Sequence, residues 1–398
     1  MKSLINTFTS TGSKFFAHQE AMMNLRNGRG QPIVTHVMLT DVCNHTCAFC
    51  SVQRRAGDSL VYDDVLAYLD ILLKYDLKAV ILSGGGNPIL YKCKRTGKDF
   101  NDVVSAIHQR GLQIGLITNG MPLKDYADCN PHRILESDEY DGSSEYTRRS
   151  WKSVHPHTLD KLTWIRISMS GLDHPEREVY VPDVDEDMTT LGFSYVAHDI
   201  YVEPADPHHG KVSRQLDLIS RDKHDEPDEF FDDRIVALTD QMTKYVIQHS
   251  PKYLRLLPNC LEPALIGGRC AQLQAVAASI NHDARREVAF VQYKPPAAPH
   301  ACYLGYVHPV LNCDGWVYPC DSCVLNEEAG HSFSNPWRVC WWSNIAEIYD
   351  RPVRSLIADP NKTCPGCVFT NSNEVLRSVV EGRADLEQRF EGDHPNFV

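Results

Sequence analysis

The sequence predicts an α/β protein. A parallel sheet of six strand–helix units, forming an open or closed barrel, spans roughly residues 33–258, and a smaller cysteine-rich α+β segment follows it. Three observations predict this. Apolar strand-like runs alternate with amphipathic helical runs from Ile33 to about Leu257. Each run is long enough for right-handed crossovers between parallel strands. After Pro258 the rhythm stops, and hairpin-like segments packed with cysteine take over.

The first strand is Ile33–Leu39. A helix over Val61–Tyr75 puts Val61, Val65, Leu66, Leu69, Leu72 and Leu73 on one face, with Ser59 as its N-cap. Ala79–Leu82 is a short buried strand ending in Ser83-Gly84-Gly85-Gly86. Phe100–Arg110 is helical and Gly111 ends it. Leu112–Thr118 is a strand closed by Asn119-Gly120. Trp164–Met169 and Phe193–Val202 are strands four and five. Phe230–His249 is a long helix, and Tyr253–Leu257 is the sixth strand. The resulting organisation is an N-terminal extension at 1–32, the barrel at 33–258, and a linker helix (Leu261–Asn281) with the cysteine-rich segment at 259–398. Polar insertions at about 121–160 and 173–190 follow strand ends, where loops of such sheets carry binding sites. Each reads either as solvated surface or as a substrate cap.

With 398 residues, 42% hydrophobic and 23% charged, the chain has ordinary globular composition and enough length for a substantial core. No apolar run approaches a membrane span, and Met1–Phe16 lacks the apolar stretch of a secretory signal. A cytoplasmic location is expected. A net charge of −12 argues against a surface that coats nucleic acid. Fourteen cysteines in a reducing compartment read as metal ligands or buried thiols, not disulfides.

Cys43, Cys47 and Cys50 follow the first strand with the spacing C-x3-C-x2-C, and Phe49 precedes the last. Three thiolates fill neither a zinc tetrahedron nor all four irons of a cubane, so one coordination site stays open for chemistry. The competing reading is a zinc knuckle completed by a distant ligand such as His45.

This loop, in this place, resembles the radical S-adenosylmethionine (SAM) superfamily. Ser83-Gly84-Gly85-Gly86-Asn87-Pro88 is similar to that family's glycine-rich segment, although the usual glutamate is absent. Thr118-Asn119-Gly120 resembles the third-strand ending, and Ile165–Gly171 the fourth strand with its SAM-contacting serine, here Ser168. The resemblance covers about residues 33–258 and implies a partial (βα)6 radical SAM barrel. It implies a SAM-binding [4Fe–4S] cluster on Cys43, Cys47 and Cys50. It implies SAM contacts from Phe49, Ser83, Gly84, Gly85, Gly86, Asn87, Asn119 and Ser168. Glycines there permit close backbone approach.

Cys302 and Cys320 are separated as C-x12-G-x4-C, and Cys364-Pro365-Gly366-Cys367 lies beyond. Alone, this set reads equally as structural zinc. After a radical SAM barrel it resembles the twitch half of a SPASM domain, which implies one auxiliary [4Fe–4S] cluster on Cys302, Cys320, Cys364 and Cys367. Asn312–Cys320 resembles the hairpin of that domain and Ser343–Ile348 the helix start after it. Cys323 could exchange with these ligands. Cys93, Cys129, Cys260, Cys270, Cys313 and Cys340 read as buried thiols.

The resemblance implies an enzyme that cleaves SAM to a 5′-deoxyadenosyl radical and removes hydrogen from a polar substrate. Net oxidation or rearrangement follows, with the auxiliary cluster as electron relay and a flavodoxin or ferredoxin as reductant. Arg166 and Arg255 lie on barrel strands and can hold a carboxylate or phosphate, or act as structural ion pairs. Only 42 residues precede Cys43, too few for a peptide-recognition or cobalamin domain. Two other readings stay open: modification of a peptide or nucleic acid, and a zinc-stabilised scaffold without catalysis. Lys14, Arg26, Arg29, Arg54 and Arg55 could form a basic rim for a polymer but read more simply as solvated charge. His155, His157, His208 and His209 read as surface histidines.

Overall fold

The computed structural model describes residues 4–45, 47, 50, 55–123, 154–155, 157–173, 179–198, 229–259, 266–293, 301–321, 337–357 and 367–398. Ten strands form one sheet: β1 (Val34–Val37), β2 (Ala79–Leu82), β3 (Gln113–Thr118), β4 (Trp164–Ser168), β5 (Thr190–Ala197), β6 (Tyr253–Pro258), β7 (Ala289–Val291), β8 (Val310–Leu311), β9 (Trp316–Tyr318) and β10 (Cys340–Trp341). The helices are α1 (Leu4–Phe8), α2 (Gln19–Arg26), α3 (Tyr62–Leu73), α4 (Phe100–Gln109), α5 (Glu229–His249), α6 (Ile266–Ala284), α7 (Ala346–Asp350) and α8 (Thr370–Val380).

The strand order is β10-β9-β8-β1-β2-β3-β4-β5-β6-β7. From β1 to β7 every neighbour is parallel and follows in sequence, which is the βα winding expected. All six expected strands are present, and β7 extends the run. Three residues long, it leaves too short an apolar signal to be read from sequence. It pairs with β6 after α6, so the helix expected as a linker forms one more strand–helix unit. On the other edge β8 pairs in parallel with β1, and β9 and β10 continue it as antiparallel strands. The Asn312–Cys320 segment is therefore a hairpin, joined by backbone hydrogen bonds to the strand that leads to Cys43.

Alternation along the strands separates two faces. Ile165, Ile167, Phe193, Tyr195, Leu254 and Leu256 join the large apolar core beneath α3–α6. Ala79, Ile81 and Trp164 point the other way, into a second core with Phe15, Met22, Leu25, Leu376 and Phe397. The N-terminal segment and α8 thus close this inner face. Burying such side chains contributes about 1.5–3 kcal/mol each.

Capping departs from expectation at α3. Its N-cap position is Val61, with no side-chain cap, and the Ser59 hydroxyl instead donates to Thr40 Oγ1 at 2.9 Å. Ser59 is thereby spent on holding the strand-to-loop corner. For α4, Asp99 and Asp102 form a full capping box, and Gly111 follows with φ 72°.

Candidate active site

The ends of β1 to β4 meet at one rim of the sheet. Leaving β1, the chain turns at Thr40 and Asp41, where the Ala56 amide donates to Asp41 Oδ2 at 2.6 Å and closes the base of the cysteine loop. The glycines after β2 lie directly against this corner. Gly86 N donates to Thr40 O, and Asn87 N to Val42 O, both at 2.8 Å. A Cβ on Gly86 would lie 2.0 Å from Val42 O, so only glycine permits the approach. Gly85 has φ 60° and faces Thr40 O, and Gly84 has φ 77° beside Met38.

Asparagines tie the rim together. Asn87 Nδ2 donates to Asn119 Oδ1 at 2.7 Å, and Thr118 Oγ1 to Asn87 Oδ1 at 3.0 Å. Asn119 Nδ2 in turn donates to Asn44 Oδ1 at 2.9 Å and approaches Cys43 Sγ at 3.9 Å. Arg55 donates to His45 O at 2.9 Å and to Cys50 Sγ at 3.6 Å. Cys50 N donates to Cys47 O at 3.0 Å. Burial pushes the Cys47 thiol up to about 12; a hydrogen bond from Ser170 opposes this, while Cys50, Cys43 and Asp173 add to it. Thiol donors on one loop, N–H groups aimed at two of the sulfurs, and a glycine cradle alongside suit a cluster and an amino-acid-bearing cofactor. Among the described residues no three His, Cys, Asp or Glu side chains stand around one metal-binding point.

Ser168 Oγ donates to Ser170 Oγ at 3.3 Å on the rim of β4. Ser83 is buried at the end of β2. Phe49, Cys364, Cys323, Cys129, Cys260, Arg54, His208 and His209 lie outside the described residues. Arg166 and Arg255 occupy the inner face: Arg166 Nε donates to Tyr253 Oη at 3.1 Å, and Arg255 Nη1 to Gln292 Oε1 at 2.9 Å.

Of the second set of cysteines, Cys302, Cys320 and Cys367 lie among the described residues. Cys302 is buried in the inner core, with Cys320 packed against it. Cys367 feels the charge of Cys320, and burial raises its thiol despite Asn373, whose Nδ2 donates to Cys367 Sγ at 3.4 Å. Cys313 lies elsewhere: burial raises its thiol, and Asp41, Asp314 and Asp58 raise it further, which sets it beside the first cysteine loop.

Sequence reasoning missed several residues. Asn44 and Arg55 act through hydrogen bonds to other segments, although their place beside the cysteines was a signal. Asp173 read only as the first residue of an acidic insertion, either solvated surface or a substrate cap. It is buried, accepting from Tyr195 Oη at 2.7 Å and bonded to His198 Nε2 at 3.1 Å. Two members of the supposed basic rim also need correction. Lys14 is 2% exposed, and Arg55 is committed to the cysteine loop, so neither is solvated charge. His157 is exposed and paired with Asp160, as a surface histidine should be.

Comparison with known proteins matches residues 37–136 to the family model "Radical SAM superfamily". Residues 37–136 are thus similar to the radical SAM superfamily. The matched segment runs from the last residue of β1 through β3 and holds the three thiols, the glycines after β2 and Asn119. Among curated proteins, a probable GTP 3′,8-cyclase of Saccharolobus islandicus is 31% identical over 102 residues, covering 25% of this chain and 31% of the relative. One from Saccharolobus solfataricus matches to the same extent. The chain therefore spans about a third of the length of the curated relatives it matches. Among solved structures, Streptococcus suis SuiB bound to S-adenosylmethionine aligns with TM-score 0.44 and 12% identity over 82% of this chain and 71% of that one. Native anSMEcpe with bound AdoMet and Cp18Cys peptide aligns with TM-score 0.43 and 12% identity over 88% and 83%. No helix among the described residues is long and apolar enough to cross a membrane.

Proposed function

We propose that this chain is a radical SAM oxidoreductase or isomerase acting on a polar substrate. Cys43, Cys47 and Cys50 would hold a [4Fe–4S] cluster and the neighbouring rim would bind SAM, and together these would supply reductive SAM cleavage and hydrogen abstraction from an unactivated C–H bond.

The carrying observation is the fit of Gly86 against Val42 O beside the Asn87–Asn119–Asn44 chain. The glycines let the segment after β2 pack directly against the base of the cysteine loop, where a side chain would collide with its backbone. Asn119 holds the cysteine loop and offers N–H to Cys43, and Arg55 offers N–H to Cys50. Ser168 and Ser170 present hydroxyls on the same rim. The apolar cores on both sides of the sheet limit access of water to the interior. Cys302, Cys320, Cys364 and Cys367 are the ligands we assign to an auxiliary cluster that relays the substrate's electron. A flavodoxin or ferredoxin is the reductant we expect.

The test is iron and labile sulfide per chain after anaerobic reconstitution, with 5′-deoxyadenosine measured in the presence of SAM and dithionite. The wild type should hold about eight irons, in two cubanes. Replacing Cys43, Cys47 and Cys50 by alanine should leave about four irons and no 5′-deoxyadenosine. Zinc in place of iron, or no SAM cleavage by the wild type, overturns the reading.

A further inference from the structure

Two buried cations on the inner face of the sheet, Arg166 and Lys14, have no aspartate or glutamate partner among the described residues. Arg166 is 8% exposed and lies beside Trp164, with its guanidinium carbon 5.1 Å from the Trp164 ring and 5.9 Å from the Tyr253 ring. Its Nε is engaged by Tyr253. Its terminal nitrogens have no ion pair and no hydrogen bond among the described residues. Lys14 is more deeply buried still. Its ammonium donates only to the carbonyls of His394 and Phe397, both at 3.2 Å. Burial, and then the charge of Arg166, hold Lys14 down to about 7. No aspartate or glutamate among the described residues pairs with either. A buried guanidinium cannot shed its proton, so without an anion its charge stays uncompensated.

Strand register shows what stands beside it. Arg166 pairs with Gly192, and Gly192 with Tyr253. A Cβ on Gly192 would lie 2.1 Å from Tyr253 Cζ, so glycine lets that ring reach across β5 to hold Arg166. One row nearer the rim, Ser168 pairs with Ser194 and Ser194 with Arg255. Ser194 is buried, and its hydroxyl has no partner among the described residues. Alternation puts Arg166, Ser168, Ser194 and Arg255 on the same face, with inner-face rows about 7 Å apart.

We infer that this wall, the Arg166 fork with Ser194 and Arg255, binds an oxyanion of the substrate, a carboxylate or a phosphate, on the inner face below the cysteine rim. An aromatic clamp leaves the planar fork with two parallel N–H donors, the arrangement that grips such a group. The inference rests on the proposed reading of the strand ends as the reaction site, and it adds the substrate's charge.

The test is calorimetric titration of the anaerobically reconstituted chain with hexanoate, hexyl phosphate and hexylammonium, with and without saturating SAM. Titrations without SAM or reductant give an answer even for a chain that cleaves no SAM. Hexanoate or hexyl phosphate should bind, and the tighter of the two identifies the source of the oxyanion. Arg166→Gln should weaken that binding about tenfold to hundredfold, and Arg166→Lys and Tyr253→Phe by less. Equal affinity in Arg166→Gln, or hexylammonium binding as tightly as the anions, overturns the inference. So does failure of both anions to bind the wild type, or their displacement by SAM, which would give the fork to the cofactor's own carboxylate. Where Arg166→Gln fails to retain iron or its circular dichroism, Arg166→Lys and Tyr253→Phe decide on the same readout.

Discussion

Asn119, after β3, donates from one amide to Asn44 inside the cysteine loop at 2.9 Å, and so links two segments 75 positions apart in the chain. The same nitrogen faces Cys43 Sγ at 3.9 Å, and Asn87 fixes the other end of the amide. Because both ends are occupied, the amide has one orientation. Asn119→Ala should therefore lower retained iron at the first site and cut 5′-deoxyadenosine formation about tenfold. Lost buried hydrogen bonds of this kind cost about 1–3 kcal/mol. Asn119→Asp keeps the acceptor but removes the donor and brings a negative charge to the thiolates, so it should do at least as much harm.

Gly86→Ala should abolish iron retention at the first site, because its Cβ would meet the Val42 and Asp41 backbone, which cannot move aside as a side chain can. Gly97 is the control. It has φ 73° and nothing within 4 Å of an added Cβ, so Gly97→Ala should cost only the left-handed backbone strain of about 1–2 kcal/mol and leave iron unchanged.

Asp173→Ala should destabilise the fold by about 3–5 kcal/mol, because it strands the buried Tyr195 hydroxyl and the His198 ring together. A fall in the denaturant midpoint at unchanged slope is the expected signature. An exposed loop carboxylate would give almost none.

Lys14 sets a pH dependence. Its folded-state value lies at about 7, well below that of an unfolded lysine, because burial disfavours the cation. Between those two values the unfolded chain binds the extra proton, so stability should rise as pH climbs from about 7 toward about 10. Below about 7 both states are protonated and the penalty is constant. Lys14→Met should flatten this rise in thermal denaturation curves, while the iron content at the first site should not follow it.

The parts of the molecule that were legible in the sequence are those governed by local pattern. Ile165 and Ile167 alternate with Arg166 and Ser168, and that alone assigns faces on β4. The cysteine spacing and the three glycines mark the rim, the glycines because close backbone approach restricts residue type. What was not legible depends on partners far along the chain. Lys14 is buried by carbonyls 380 and 383 positions away. Asp173 is kept from solvent by Tyr195 and His198, one strand further on. Ser59 left its helix because Thr40 offered a better-placed oxygen. A charged residue gives no local sign of such burial.

The parallel pairing of β8 with β1 also bears on synthesis. One edge of β1 is completed only by residues near Pro309, whose carbonyl accepts from Thr35 across 274 positions of sequence. On the ribosome the first strand and its cysteine loop emerge early, and that edge then waits with unpaired backbone groups until the hairpin appears. Contacts of such long sequence separation form slowly. Any cofactor assembly on the cysteine loop is thus to be expected after translation has passed the hairpin, not while the barrel is still being made.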